Sequence, residues 1–395
     1  MKMSSTNNVA NECPQGVQTT RIEIHVRDVT ESLKRSPFIR FPWQVYADDP
    51  VWVPPLLLER RMHLGKSNPY FEHAEARFFV AYRGARPVGR ISAQVDELHL
   101  QRYQDGCGFF GMLEAENDST VMPALFAAAE DWLGSRGMSR VRGPFSLSIN
   151  DECGLLVDGF DTPPVLMMPH GLPWYGEGVE ACGYSSVNEL LAYRLDPHEA
   201  DSRTMRAVLK RYAPRFSVRC INWRDFSREL QILREVFNDA WSDNWGFLPF
   251  TEAEFLDMGK QFKLLLDKDL VHIAEVDGRP AAMIVCLPDF NDFIGDLNGR
   301  LLPFGWLKLL WRFRRRFPGG ARTALMGVRK QYQRGPMGSA LAFAVIRALR
   351  AALVKRGVHR LELSWILKNN HGMRKIVEDI NSVVYKRYRV YEKAL

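Results

Sequence analysis

The chain repeats itself, and that limits its architecture more than any single motif does. Phe79–Ile91 reads FVAYRGARPVGRI and Ile273–Ile284 reads IAEVDGRPAAMI. Each is an apolar run, a short Gly-containing turn and a second apolar run, the pattern of a β-hairpin. Their Arg-Pro pairs, Arg86-Pro87 and Arg279-Pro280, lie 193 residues apart. Downstream, Pro123–Arg136 has helical apolar spacing and stops at Gly137, and Gly338–Arg356 does the same before Gly357. A strand follows each, closing on Ser148-Ile149-Asn150 in one and Lys368-Asn369-Asn370 in the other. These two segments are 220 residues apart, so the second copy is 27 residues longer between hairpin and helix. The surplus falls at Leu301–Phe317, LLPFGWLKLLWRFRRRF.

A chain of 395 residues is long enough for two or three domains. The repeat predicts two α/β (α+β) domains in tandem, 41–198 and 199–395, with the surplus as an insert at 300–320. Residues 1–40 form a lead-in in which Arg21–Val29 alternates like a strand. Phe41–Leu58, rich in Trp and Pro, reads as a packed irregular segment. Six scattered cysteines suggest neither a disulfide framework nor a metal site, and the polar first residues lack the pattern of a signal peptide. No stretch reads as long and apolar enough to span a bilayer, and the scattered cysteines fit a reducing cytoplasm, the expected location. Charge is unevenly spread. Leu297–Leu361 has no Asp or Glu and 15 Lys or Arg, against a net charge of +7 for the whole chain. Such a field attracts an anionic ligand or surface.

Val328–Leu341, VRKQYQRGPMGSAL, carries the strongest local signal. A strand feeds a Gly-containing turn that opens a long helix, and the free N–H groups at a helix N-terminus suit a pyrophosphate. Gly335 and Gly338 permit close backbone approach, while Arg329, Lys330 and Arg334 add positive charge. Here the chain resembles the GNAT acyltransferase superfamily, whose pyrophosphate loop is Gln/Arg-x-x-Gly-x-Gly/Ala. Gln333-Arg334-Gly335-Pro336-Met337-Gly338 follows it, with Pro336 in place of one Gly and so one N–H fewer. The resemblance implies two tandem GNAT-like domains, each a mixed, mostly antiparallel sheet flanked by helices. It implies acyl-CoA as co-substrate and no metal, with contacts from Val328, Gln333, Arg334, Gly335, Met337, Gly338, Ser339 and Asn369. Val328 would also lend its N–H to the oxyanion. Asn370 matches the Asn near the pantetheine, and Tyr385 or Tyr388 the Tyr that protonates the leaving thiolate. The plainer reading of Tyr385, Tyr388 and Tyr391 is aromatic packing on a sheet.

The first copy has no such loop. Phe109–Leu125 is acidic and lacks glycine at its helix start, so this copy is expected to have lost the cofactor and to shape the acceptor site. Candidates for the base that deprotonates the amine are Glu152, His170 and Asp292, each with an equally simple reading as a structural loop residue.

The insert, Leu301–Phe317, reads as an amphipathic helix. Trp306, Leu310, Phe313 and Phe317 share one face, with Lys308, Arg312 and Arg315 on the other. That pattern suits an anionic membrane surface; a core helix or a lid over the cofactor is the alternative. No nucleic-acid fold is recognisable. Four longer stretches, FPWQVYADDPVWVPPL, FFVAYRGARPVGRI, GPFSLSINDECGLLVDGFDTPP and ELSWILKNN, are similar to a bacterial group of tandem GNAT-like proteins that includes ceramide synthases. This implies transfer of a long-chain acyl group from acyl-CoA to the amine of a sphingoid base, and the insert adds an expected place at the periphery of the inner membrane. Two readings stay open beside it: N-acylation of a small amine or amino acid, and a non-catalytic acyl-CoA-binding scaffold.

Overall fold

The computed structural model of the protein describes residues 23–33, 36–263 and 266–395. Residues 23–29 of the lead-in's candidate strand lie within them, with β1 at Ile24–Asp28; residues 1–22 lie outside the described residues. The first half continues with β2 (Ala74–Arg83), β3 (Arg86–Asp96), β4 (Cys107–Ala115) and β5 (Arg140–Gly143). Next come a small ribbon, β6 (Phe145–Ser146) with β7 (Glu152–Cys153), then β8 (Leu155–Asp158) and β9 (Ser185–Leu195). The second half supplies β10 (Ser217–Cys220), β11 (Val271–Val276), β12 (Arg279–Pro288), β13 (Gly320–Val328), β14 (Arg360–Leu367) and β15 (Val383–Ala394).

The two repeated hairpins are β2–β3 and β11–β12, turning at Gly84 (φ 64°) and at Asp277-Gly278 (φ 50° and 71°), where a glycine tolerates left-handed backbone. Each half has one parallel pair, β4 with β5 and β13 with β14, joined by the helices Val121–Ser135 and Pro336–Lys355. A parallel crossover needs such a helix. Both helices bury a stripe at every fourth residue: Val121, Leu125, Ala129 and Leu133 in one, Leu341, Val345, Leu349 and Leu353 in the other. The 336–355 helix is long and apolar enough to cross a membrane, which corrects the sequence expectation that no stretch reaches that length. Here its apolar side packs on the sheet instead.

The halves exchange their last strands. β15 lies between β5 and β9, and β9 lies between β15 and β14, so the described residues form one sheet of 13 strands that both halves share. On the face of the second half opposite the 336–355 helix, the helices Phe226–Trp241 and Glu252–Lys263 pack with Leu230, Leu233, Phe237 and Phe255 against Val271, Ile273, Met283 and Val285. The connection between these two helices reaches into the first half. Tyr103 Oη donates to the Phe247 carbonyl at 2.9 Å and Asn150 Nδ2 to the Leu248 carbonyl at 3.0 Å.

The basic aromatic insert is helical over Gly305–Arg315, shorter at both ends than the 301–317 expected. Its orientation also differs. Arg312 forks onto Asp296 at 2.6 and 2.7 Å and Lys308 lies 3.5 Å from the same carboxylate, so part of the basic side faces the protein. Phe313 packs against Phe290 and Phe293, leaving Leu302, Phe304, Trp306, Leu307, Leu310 and Trp311 exposed.

Candidate active site

The site begins where two paired strands come apart. β13 and β14 are in register from Gly320 and Arg360 to Thr323 and Leu363, then separate. On its other side β13 carries a bulge: Thr323 faces Cys286 and Leu325 faces Val285, leaving Ala324 without a cross-strand partner. β14 has its own irregularity toward β9 between Leu363 and Ile366. Bulges re-aim backbone groups, and two of them flank the opening. A cavity of about 790 Å³ fills the gap, within the range of ligand pockets.

At the C-terminal ends of the two strands, Val328, Gln333, Arg334, Gly338, Ser339, Asn369 and Asn370 all border this cavity. The helix starts at Pro336, in its first turn, where a missing N–H costs nothing. Gly335 precedes it with φ 136°, a conformation other residues rarely adopt, and no side chain caps the helix. A Cβ on Gly338 would sit 2.4 Å from the Tyr332 carbonyl oxygen, so the loop folds back on its own backbone at that point. The side chains around it divide into braces and free groups. Gln333 Nε2 donates to the carbonyls of Val328 and Ala240 at 2.8 and 2.9 Å, Arg329 Nε donates to the Pro280 carbonyl at 2.8 Å, and Lys330 pairs with Asp243. Arg334 is exposed, and among the described residues its side chain has no hydrogen bond or ion pair. The uncapped helix start and this guanidinium fit a diphosphate. Gly335 and Met337 belong to the same turn, Met337 packing inward on the core. Asn370 caps the helix His371–Asp379, its Oδ1 accepting from Met373 N at 3.0 Å, while Asn369 is exposed at the cavity rim.

Where the strands part, the floor is polar and buried. Arg322 on β13 is 2% exposed and Glu362 on β14 is 3% exposed. Arg322 Nε donates to Ser364 Oγ at 3.0 Å and lies 3.7 Å from the Glu362 carboxylate. Glu362 accepts hydrogen bonds from Ser364 Oγ and from Tyr385 Oη. Burial, with the Glu362 charge beside it, pushes the Tyr385 hydroxyl far above its ordinary range, so it stays protonated. Arg322, Thr323, Ser364 and Trp365 line the cavity, and Thr323 Oγ1 and Trp365 Nε1 are buried there without partners. Buried polar atoms of this kind call for a ligand or water.

Sequence reasoning passed over Arg322, Glu362 and Ser364. The signal was a lone acid inside an apolar strand, with a Ser two residues on and therefore on the same face. Tyr388, by contrast, is fully buried among apolar side chains, its hydroxyl unpartnered and pushed well up by burial.

The three candidate bases are not brought to this cavity. His170 Nε2 sits 2.7 Å from Asp49, 4% exposed, and burial outweighs that pairing to lower its pKa. Glu152 pairs with Arg60 at 3.0 Å; burial would raise its carboxyl, but Arg60 and His63 hold it low. Asp292 accepts from Gly320 N at 3.0 Å and pairs with Arg360 at 2.7 Å, bracing the start of β13.

In the first half the equivalent opening is filled. Tyr175 is fully buried and its hydroxyl accepts from Ala115 N at the end of β4 and donates to Glu114. Glu114 also accepts from Tyr46 Oη at 2.6 Å, and Asp118 and Glu116 pair with Arg83 and Arg86. One group of potential metal ligands exists among the described residues: His99, Asp105 and Cys107. His99 Nε2 already lies 3.0 Å from Asp105, Arg142 stands 3.6 Å from the same carboxylate, and burial pushes the Cys107 thiol up to about 12.

No family model matches the chain. It is 48% identical over 359 residues to protein YghO of Escherichia coli (strain K12), covering 91% of this chain and 92% of that one. It is 44% identical over 380 residues to the bacterial ceramide synthase of Caulobacter vibrioides (strain NA1000 / CB15N), covering 95% and 99%. A tandem GNAT protein from the clavulanic acid biosynthesis pathway shares the fold, with a TM-score of 0.54 at 12% identity over 94% of this chain and 98% of that one. The splayed strands, the open helix start and these relatives together make the chain a member of the tandem GNAT family that includes the Caulobacter bacterial ceramide synthase, and an acyl-CoA-dependent N-acyltransferase.

Proposed function

We propose that the protein transfers a long-chain acyl group from acyl-CoA to the amine of a sphingoid base. The observation that carries this reading is one cavity that joins the 333–339 loop, Arg322 and Ser364 beside the buried Glu362, and a largely apolar wall. The name of the 44% identical relative supports the choice of acceptor. The CoA diphosphate would rest on the N–H groups at the start of the 336–355 helix and on Arg334, with the thioester between β13 and β14.

The amine nitrogen bonds to the thioester carbonyl carbon as the C–S bond breaks. Backbone N–H groups at the Ala324 bulge, nearer the parting of the strands than Val328, would stabilise the oxyanion. Glu362, reached through Ser364, takes a proton from the amine nitrogen. Tyr385 donates its proton to the departing sulfur and regains one from Glu362. Arg322, 3.7 Å away, offsets the buried charge of Glu362. Tyr388, Asp292, Glu152 and His170 then have structural rather than chemical work.

The exposed aromatics of the 305–315 helix support delivery of a membrane-resident acceptor. The helix leads into the N-terminal end of β13, the end opposite the 333–339 loop, so a lipid amine and a soluble CoA head would enter from different sides. On this reading the protein works at the membrane periphery, on the cytoplasmic face.

The test is purified protein with palmitoyl-CoA and a panel of amines, read by mass spectrometry. The expected product is an N-acyl sphingoid base with release of free CoA. Acylation of amino acids or small amines in its place removes the sphingoid reading, and no CoA release with any amine removes catalysis.

A further inference from the structure

Beyond the polar floor, the same cavity extends under the helices 226–241 and 252–263. Its walls there are Phe226, Leu233, Phe250, Phe255, Met258 and Phe262, facing Val285 and Leu325 of the sheet. Native cores hold few voids larger than a water molecule, so an apolar space of this extent is a binding space. The walls carry no charge, which excludes the CoA head and the amine. The arm is continuous with Gly338 and Ser339 through the gap between β13 and β14, so a chain attached to the thioester has an uninterrupted path into it. Its far wall is closely built. A Cβ on Gly259 would lie 2.4 Å from a Leu230 methyl, so the two helices touch there. The 252–263 helix is also tied to the first half, His73 Nε2 lying 3.2 Å from Glu254.

We infer that this arm is the channel for the acyl chain of the donor, and that the 252–263 helix, through Phe255, Met258 and Phe262, sets the longest chain accepted. The inference rests on the acyltransferase reading but not on the identity of the acceptor. Each methylene that enters tightens binding about two- to fourfold.

Calorimetric titration of the full-length protein with CoA, acetyl-, octanoyl-, dodecanoyl- and palmitoyl-CoA, with no amine present, tests it. Kd should fall steadily along the series. Met258→Trp, which narrows the arm, should weaken palmitoyl-CoA about tenfold or more and leave CoA and acetyl-CoA unchanged, the latter also reporting that the variant is folded. A flat series for the unaltered protein, or equal loss for all ligands in the variant, overturns the channel. A flat acyl series with affinity that instead rises along a sphingoid-base chain series overturns it too and gives the arm to the acceptor. Chain-length-dependent donor binding without turnover of any sphingoid base upholds the channel and overturns only the proposed acceptor.

Discussion

At the scale of single residues, the chemistry depends on a few polar groups placed in an otherwise apolar setting. Glu362 is held by two hydroxyl donors and a guanidinium, and removing its charge weakens all three contacts. Glu362→Gln is therefore expected to lower kcat by about 10²- to 10⁴-fold while acyl-CoA affinity, measured calorimetrically, stays within experimental error. A variant of full activity would move the base elsewhere. Gly338 tests the other end of the cavity. Its Cβ position is blocked by the Tyr332 carbonyl, and a carboxylate there would also face the diphosphate. Gly338→Asp should weaken CoA about a hundredfold or more, read against an unfolding curve that reports the cost to the loop itself. Unchanged CoA binding would detach the loop from the cofactor. Ser339 and Asn369, at the rim, are expected to change affinity and not turnover.

At the scale of elements, two helices carry separable tasks. The 252–263 helix is fastened through His73. Burial draws that imidazole down, but the hydrogen bonds it donates to Asp96 and Glu254 outweigh it and hold its pKa up at about 10, above the 6.5 of an unconstrained histidine. A raised folded-state pKa gives stability that is complete below about 6.5 and lost as pH rises through about 10. Thermal unfolding of the protein should therefore show a decline across that window that is absent in His73→Gln, itself about 2 kcal/mol less stable near neutrality. Parallel pH profiles for the two proteins would contradict the assignment. The 305–315 helix presents its aromatics outward. Replacing Trp306, Leu310 and Trp311 with Ser should reduce flotation with anionic phosphatidylglycerol vesicles about tenfold or more and leave acetyl-CoA binding intact. Equal flotation would remove the membrane from the reading of this helix.

At the scale of the whole molecule, the exchanged strands make the two halves one folding unit. β15 supplies hydrogen bonds to β5, β8 and β9, and β9 supplies them to β14, so neither sheet is complete without the other's last strand. Exposed sheet edges are a liability, and each half alone would present one. Calorimetric unfolding is expected to give a single transition. Two resolved transitions would show that the halves fold independently. The shared sheet also explains the position of the Glu362 cluster: β15 and β14 flank β9, and Tyr385 reaches across β9 to Glu362.

Local signals in the sequence determined the repeated hairpins, the crossover helices ending at Gly137 and Gly357, and the loop at 333–339. Each of these follows from periodicity of two or four residues and from glycine's access to left-handed backbone, which are properties of neighbouring residues. The resemblance to GNAT proteins added the cofactor and the Tyr385 region. What the sequence could not disclose lies between segments far apart in the chain. Arg322 and Tyr385 meet Glu362 from 20 residues or more away in the chain, and the apolar arm exists only where two helices fail to close on the sheet. His170, Glu152 and Asp292 looked chemical in isolation and are neutralised by partners at Asp49, Arg60 and Arg360. Long-range pairing of charges and the shape of unfilled space are decided by tertiary packing, because they depend on which surfaces meet and not on the residues alongside.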